Sequence, residues 1–591
     1  MEIKLYSKPI KNFLPKIMVM LNRGINPKDI EKYLENTDIY INSPEAFSVD
    51  LLSKGAKMLM EHIAAEDNIF IVVDSDVDGF TSSAYLINYL YDLFPNFVRE
   101  HITWGLHEGK QHGLNDWVDR LENSAYSLVI CPDSATNDID AIARLHEGKI
   151  DVLILDHHLS DVPMSPYAVT INSQYNYPNP QLSGAGVVYQ FCRYLDKIVG
   201  NNSADKFIDL IALGNMGDMM SMTSIETKEI IHKGFKEENI TNPFIYEMAK
   251  KQEFSLNKPD YKPSTQNNLM ITPFGAAFFI VPFVNALCRS GTMEEKELIF
   301  KSMLTMEAFK IVDSTKRGHK PGDTERIVDQ ALRTCTNVKN RQTRIQDAGM
   351  ELLEKYIVKD DMLKHKVLVF SLEENEINPN VAGLCANKIM AKYQRPVCVL
   401  RKISDKDFTG SMRGYNKTGI ESFKAIAEKS SACNWCKGHE NAAGLSINDS
   451  NLFIEDMDKI LKDIKTDMVY YVDYIWDSDN INPDTIIDLS ELNDYIGTDF
   501  DRPLVYVTDI TINENNFKVM KSNTLKISLP CGIDIIKFGG TEEEIEKWTK
   551  GVTINAVCKC CRNEWNFNIN PQLELVDYDF AETTLIEKWG F

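Results

Sequence analysis

Between residues 50 and 220, short apolar runs alternate with longer stretches that read as helices. The run Ile69-Phe70-Ile71-Val72-Val73 is continuous and rich in β-branched residues, which predicts a strand buried on both faces. Thr81 to Phe94, behind it, predicts a helix. Leu128-Val129-Ile130-Cys131 and Val152-Leu153-Ile154-Leu155 predict two more strands of the same kind. Strands separated by helices indicate a mostly parallel sheet. All three run into acid: Asp74, Asp76 and Asp78 after the first, Asp133 after the second, Asp156-His157-His158 after the third. Ligands of open α/β sheets bind at the carboxyl ends of the strands, where these residues fall.

Further along, a fourth acid, Asp218, follows the apolar segment Phe207 to Leu213. Ser183 to Tyr189 holds a glycine-rich turn, a weak signal that suits close helix packing better than a phosphate cradle. Residues 222–365 are helix-rich, and Ile327 to Tyr356 predicts one long connecting helix. A second α/β unit starts near Val367-Leu368-Val369-Phe370, and short alternating strands from about 500 to 580 suggest a small β-barrel. A chain of 591 residues exceeds one core. The expected α/β organisation is an N-terminal segment (1–50), a parallel-sheet lobe (51–225), a helical connector (226–365), a second α/β lobe (366–465) and an OB-like β-barrel (475–591).

Residues at i, i+2 and i+4 leave a strand on one side, so Asp74, Asp76 and Asp78 are expected to converge where the strand ends. Chelated divalent metal is the economical way to neutralise them. D-x-D-x-D-G also opens a calcium loop, but the twelfth position, a glutamate in such loops, is Tyr85, and a strand rather than a helix precedes the motif. Asp74, Asp76, Asp78, Asp133 and Asp218 with His157 form a mixed oxygen–nitrogen set. Magnesium prefers oxygen, whereas manganese also accepts imidazole. So many ligands suit two ions, Mn2+ or Mg2+, sharing a bridging carboxylate, a device for attacking phosphate esters with water. His158 either contacts the phosphate and gives it a proton or orients its neighbours.

In order along the chain, IVVDSDVDGFTSSA, LVICPDSAT, LILDHHLSD and LIALGNMGDMM resemble the four motifs of the DHH phosphoesterase family. VAGLCANKIMAKYQRPVCVL, GSMRG and GHENAAGLSI are similar to its DHH-associated domain, and NEWNFNINPQLELVDYDF to the terminal barrel of its single-strand-specific exonucleases. The resemblance makes 51–225 the DHH domain and 366–465 the DHH-associated domain. It implies metal positions at Asp74, Asp76, Asp78, Asp133, His157 and Asp218, with Asp133 as the bridge and Asp133 and His158 as catalytic residues. It implies a hold on DNA and its 5′ phosphate through Ser411, Arg413, Arg289 and His439. The implied activity is 5′→3′ hydrolysis of single-stranded DNA to mononucleotides in repair or recombination. A non-catalytic single-strand-binding scaffold and a hydrolase of short oligonucleotides or cyclic dinucleotides are the alternatives. The chain departs from the family pattern at Phe283 and Gly105, where arginines are usual, and in Glu108 to Leu114, two residues longer than the matching motif.

Composition adjusts this picture. A net charge of −22 disfavours general sticking to nucleic acid or anionic membrane, so phosphate contacts must be local. Residues 384–437 carry eleven Lys/Arg against four acids, and 316–344 carry eight against three, which predicts a positively lined cleft. Trp565, Phe567 and Phe538 are candidate base-stacking residues of the barrel. The barrel is expected to add grip, so that removing residues from about 475 leaves a metal site that still cleaves short strands. The N-terminus lacks a signal-peptide pattern, and Leu269 to Cys288 reads as a buried segment rather than a membrane span. Twelve cysteines, Cys433/Cys436 and Cys558/Cys560/Cys561 among them, are expected to be free thiols in a reducing cytoplasm. The expected partners are single-stranded DNA and a single-strand-binding protein or helicase, with no membrane.

Overall fold

The structure, a computed structural model, describes residues 2–8, 13–35, 37–109, 111–160, 162–175, 177–252, 256, 269–415, 420–463, 469–565 and 568–581. Five parallel strands form the first sheet: β1 (Asn68–Val73), β2 (Ile102–Leu106), β3 (Tyr126–Pro132), β4 (Asp151–Asp156) and β5 (Val169–Asn172). Their order is β2-β1-β3-β4-β5, so β1 and β3, which deliver most of the acids, lie side by side in the interior. Both faces are buried, which explains the uninterrupted apolar runs. Ile69, Ile71 and Val73 enter the main core, whereas Phe70 and Val72 pack with Val118, Leu121, Ile142 and Leu145 on the other side.

The main core is covered by α1 (Val77–Leu93), α2 (Gly184–Val199) and α3 (Ile208–Gly217), which pack on one another. Every residue of α1 from Val77 to Leu90 is buried, as befits a helix with no solvent face. The apolar segment before Asp218 is thus helix α3, with Asp218 as its C-cap. Next come α4 (Ile225–Phe235), α5 (Val281–Ser290) and α6 (Met293–Met303). The stretch Pro273–Ser290, mean hydropathy 1.3, is long and apolar enough to cross a membrane. It is folded as Pro273–Phe279 followed by α5, and half of it is buried.

Helix α7 (Ile327–Lys359) extends the predicted connector to 33 residues, roughly 50 Å at 1.5 Å per residue. It packs on α5 and α6 near its start and on α8 (Pro379–Tyr393) further along, joining the two lobes. The second sheet contains β6 (Leu368–Leu372), β7 (Val397–Ser404), β8 (Asp407–Arg413), β9 (Cys433–His439) and β10 (Ala442–Ile447), in the order β9-β10-β8-β7-β6. Only β6 and β7 run parallel.

The C-terminal part forms a seven-stranded sheet from β11 (Tyr474–Asp477), β12 (Leu504–Ile512), β13 (Phe517–Val519), β14 (Leu525–Ser528), β15 (Asp534–Lys537), β16 (Val552–Trp565) and β17 (Asn568–Phe580). The order is β11-β12-β16-β17-β15-β14-β13. Phe538 is exposed there; Phe567 and the Trp565 side chain lie outside the described residues. All twelve cysteines are free thiols, and most are buried.

This sheet is not a detachable appendage. Its hydrophobic core is continuous with that of the first lobe through Ile481, Leu489, Tyr495 and Phe500. Met222 donates its amide to Thr498 O, His232 Nε2 meets Asp494 O at 2.9 Å, and the Tyr33 hydroxyl donates to Met222 O. The N-terminal strand Glu2–Leu5 pairs with Val469–Val472, and the buried Arg23 guanidinium holds Asp473 with two 3.0 Å hydrogen bonds. Cutting at residue 475 keeps the Val469–Val472 pairing and Asp473 but strips cover from α4, Tyr33 and Met222 and removes the Asp501 carbonyl that accepts from Arg23 Nε. The truncated chain is therefore expected to aggregate or melt well below the parent, contrary to the separable behaviour the sequence suggests. A soluble fragment with the parent's melting temperature would show that the lobes fold independently.

Candidate metal centre

The three acids of the first motif do not sit on a strand. β1 ends at Val73, Asp74 lies in the turn, Asp76 caps α1 with its carboxylate accepting from the Gly79 amide at 3.1 Å, and Asp78 is in the first helical turn. A strand-to-helix turn replaces strand alternation in bringing them together. Tyr85, far from serving as a ligand, is buried and donates to Ala204 O. Asp133 follows β3 at φ +61°, a left-handed conformation that Asp tolerates, and its amide donates to Leu155 O of β4 at 2.8 Å. Gly184 opens α2 directly against Asp133; a Cβ there would stand 2.4 Å from the Asp133 Cβ. The glycine-rich turn is thus a close helix approach. It also satisfies half of Asp78, whose Oδ1 accepts from Ser183 Oγ (2.9 Å) and the Ala185 amide (3.1 Å).

Six predicted ligands meet here in two groups, and a third, overlapping group of Asp133, His157 and His158 brings in the second histidine. Ligand atoms of Asp74, Asp76 and Asp133 lie within 4.8 Å of one another, as do those of Asp78, His157 and Asp218. His157 Nε2 links the groups, 3.2 Å from Asp133 Oδ1, 3.2 Å from Asp218 Oδ2 and 4.0 Å from Asp78 Oδ2. Asp74 Oδ1, Asp78 Oδ2, Asp133 Oδ1 and His157 Nε2 are all buried without a hydrogen-bond partner. Such atoms cost about 1–3 kcal/mol each when left unsatisfied, more when charged. Four facing one another is the signature of ligands arranged for cations. The donor set of carboxylates plus one imidazole fits Mn2+ or Mg2+.

Electrostatics points the same way. Burial, then Asp76, pushes the Asp74 carboxyl up to about 8. Burial, then Asp78, takes Asp218 to about 8 and Asp133 well above the carboxylate range. Asp78 rises to about 6, chiefly through burial and then Asp76. Burial lowers His157 to about 4, leaving a neutral nitrogen fit to ligate. His158 differs: burial opposes its charge, but the Asp156 hydrogen bond at 2.7 Å outweighs this and raises it to about 9. Asp156 is itself buried, and its carboxylate also accepts from Thr136 Oγ1 and the His157 amide. It was legible only as the end of a strand; its role in orienting His158 is a tertiary fact.

A pH experiment isolates the repulsion. The Asp218 carboxyl is ordinarily near 3.8 and is raised to about 8 in the fold, so between these values the folded chain keeps a proton that the unfolded chain has lost. Stability associated with that proton is full below the ordinary value and lost as pH climbs through the raised one. In chelator, Asp218→Asn is expected to melt level with the parent near pH 4 and progressively above it toward pH 8. A difference independent of pH would mean that Asp218 does not share a buried space with the other acids.

The expected DNA contacts gather on the second sheet. Ser411 and Arg413 lie two apart on β8, face α8 and pack against Gly383. His439 stands in the same row, since Arg413 and His439 both pair with Ala442 of β10. Burial and then Arg289 of α5 lower the Arg413 pKa, which puts the two guanidiniums near one another. Part of the charge of the broader basic runs is paired. Arg326, Arg333, Arg341 and Lys392 are held by Asp329, Glu325, Glu295 and Glu354, and Lys417 lies outside the described residues. Two further residues take their place only in the fold. Trp435 of β9, partly exposed, lies over Gly444 on the Arg413 face, and His112 Nδ1 stands 3.8 Å from Asp74 Oδ1.

Comparisons agree with this architecture. The DHH family N-terminal domain matches residues 68–215, the DHHA1 domain 364–469 and the RecJ OB domain 472–577. The chain is 29% identical over 596 residues to a protein of Bacillus subtilis (strain 168) provisionally named SPbeta prophage-derived single-strand DNA-specific exonuclease YorK, covering 99% of each. It is 22% identical over 595 residues to the single-stranded-DNA-specific exonuclease RecJ of the same organism, covering 97% of this chain and 69% of that one. The crystal structure of RecJ in complex with Mn2+ from Thermus thermophilus shares the fold, with a TM-score of 0.70 at 16% identity over 98% of this chain and 79% of that chain. With clustered acids at the strand ends of a parallel sheet and all three domains matched in order, the chain belongs to the DHH family and has the RecJ domain arrangement.

Proposed function

We propose that this chain is a metal-dependent exonuclease that hydrolyses single-stranded DNA from the 5′ end to mononucleotides, using two ions that share Asp133. The observation that carries the reading is the set of four buried, unpartnered ligand atoms divided between two groups of residues. Asp74, Asp76 and Asp133 would hold one ion; Asp78, His157 and Asp218, with Asp133, the other. When bound, such a pair makes a water nucleophilic and offsets the charge that gathers on the phosphate. Asp156 accepts from His158 Nδ1, so the imidazole is charged and its Nε2 is the atom that contacts the phosphate or passes a proton to the departing 3′ oxygen. Arg413, Arg289 and Ser411 would clamp the terminal phosphate, with His439 beside them.

The names of the relatives supply substrate and class, and the RecJ domain arrangement supports a long strand rather than a dinucleotide. Repair or recombination, beside a single-strand-binding protein or helicase in a reducing cytoplasm, is the setting that fits. End-labelled single strands incubated with the protein and Mn2+ should release labelled mononucleotide from the 5′ end. Release only from the 3′ end would overturn the polarity, and no cleavage of any strand would overturn the enzyme. Faster turnover of a dinucleotide than of a long strand would favour the short-substrate alternative.

A further inference from the structure

His112 is an imidazole beside the acids that the two-ion reading leaves unused. Its Nδ1 lies 3.8 Å from Asp74 Oδ1, and its ring meets that of His158 edge-on at 5.9 Å. Two donors on one ion at about 2.1–2.2 Å each are separated by roughly 3–4.3 Å, depending on the angle between them. The observed spacing falls in that range. Asp74 Oδ1 is itself buried and has no hydrogen-bond partner, so it faces a place where a positive group belongs.

The position of His112 is built rather than incidental. The Lys296 ammonium, buried beneath the segment, donates to His107 O at 2.9 Å and Gly109 O at 3.0 Å. On the far side, Asp138 accepts from the Leu114 amide at 2.7 Å and from Asn115 Nδ2 at 2.8 Å. Between these anchors Gly113 turns the chain at φ +77°, where a Cβ would stand 2.2 Å from Asp138 Oδ2. Only glycine fits the position after His112, and that turn aims the imidazole at the acids.

Resting on the two-ion reading, we propose that His112 is a further ligand of the ion held by Asp74, Asp76 and Asp133. It gives that otherwise all-oxygen site a nitrogen donor and a preference for Mn2+ over Mg2+. Imidazole raises affinity for a transition ion, while Mg2+ gains little from it and favours oxygen. Each site then has one histidine: His157 on the Asp78 and Asp218 side, His112 on the Asp74 and Asp76 side.

The test reads metal binding, not turnover. Calorimetric titration of the full chain with Mn2+ and with Mg2+ is compared in the parent, His112→Ala and His112→Gln, with electron spin-echo spectroscopy of the Mn2+ forms counting coupled imidazole nitrogens. The His112 side chain is 58% exposed, so neither variant threatens the fold, and equal melting temperatures in chelator would verify this. The parent should bind two Mn2+. His112→Ala should weaken one of them by about tenfold or more and remove one imidazole coupling, with Mg2+ binding nearly unchanged. His112→Gln, which offers an oxygen instead, should bring Mn2+ and Mg2+ affinities at that site closer together. Unchanged Mn2+ affinity with the same number of coupled imidazoles would overturn the role of His112 while leaving the two-ion centre standing. Failure of the parent to bind Mn2+, or binding undiminished in Asp133→Asn, would overturn the centre and the proposal together.

Discussion

Asp133→Asn is expected to abolish hydrolysis while leaving the fold intact. Its Oδ1 lies 3.2 Å from His157 Nε2 in one direction, and its carboxylate closes the Asp74 and Asp76 group in the other. A neutral amide in that place cannot neutralise either cation position, so both should weaken together. The loss should exceed the roughly 10²–10³-fold that removal of one electrostatic group from an active site costs. Asparagine is the informative replacement because it keeps the shape and accepts φ +61°, which alanine would resist. In chelator the variant should melt above the parent at neutral pH, because burial and Asp78 already hold this carboxyl far above its ordinary range. Near-parental turnover in Mn2+ would remove Asp133 from the centre. A lower melting temperature in chelator would show that the carboxylate is structural.

Arg413→Ala is expected to cost the preference for 5′-phosphorylated over 5′-hydroxyl ends. Arg413 is half-buried, and the charge of Arg289 reaches it, so a terminal phosphate between the two would meet both. The only hydrogen bond that its guanidinium makes among the described residues goes to Met412 O, so most of its donors remain available. One charge-assisted contact is worth roughly 1.5–3 kcal/mol, a factor of about 10 to 150 in the ratio of rates on the two substrates. Phe283 and Gly105 carry no charge, which concentrates the task on Arg413 and Arg289. The measurement is that ratio in parent and variant. An unchanged ratio, or a parent indifferent to the phosphate, would show that strand ends are found by other residues.

The strands around Ile69, Leu128 and Val152, the connector from Ile327 and the order of the acidic motifs were legible because each is a local pattern. A run of apolar residues buried on both faces leaves a mark in the sequence that no distant contact needs to complete. The same local logic misplaced Asp76 and Asp78. Strand alternation was extended past Val73, but the chain had already turned into α1, where Asp76 is a cap and Asp78 lies in the first turn. The acids converged all the same, since a strand-to-helix turn folds the segment back over itself.

Charge was the quantity least readable from composition. Some charges of the basic runs 316–344 and 384–437 are answered by acids outside those runs that only folding brings close, such as Glu295 against Arg341 and Glu354 against Lys392. The barrel likewise looked detachable because its strands are contiguous in sequence. Its attachment runs through Tyr33, which packs on Tyr495 and Phe500, Arg23, whose Nε donates to Asp501 O, and Met222, whose amide donates to Thr498 O, all hundreds of residues away.

The sequence by itself determined that acids end the strands of a parallel sheet and that their number exceeds one ion's needs. The residue types at those positions were sufficient for that. Tertiary structure alone decided which acids and imidazoles stand together, that Asp156 fixes His158, and that His112 lies beside Asp74. Those relations depend on distances of 3 to 4 Å between groups far apart in the chain, such as Asp78, His157 and Asp218. Ligand geometry is set by the packing of α1, α2 and α3 on the sheet, and such packing leaves no periodic trace along a single chain.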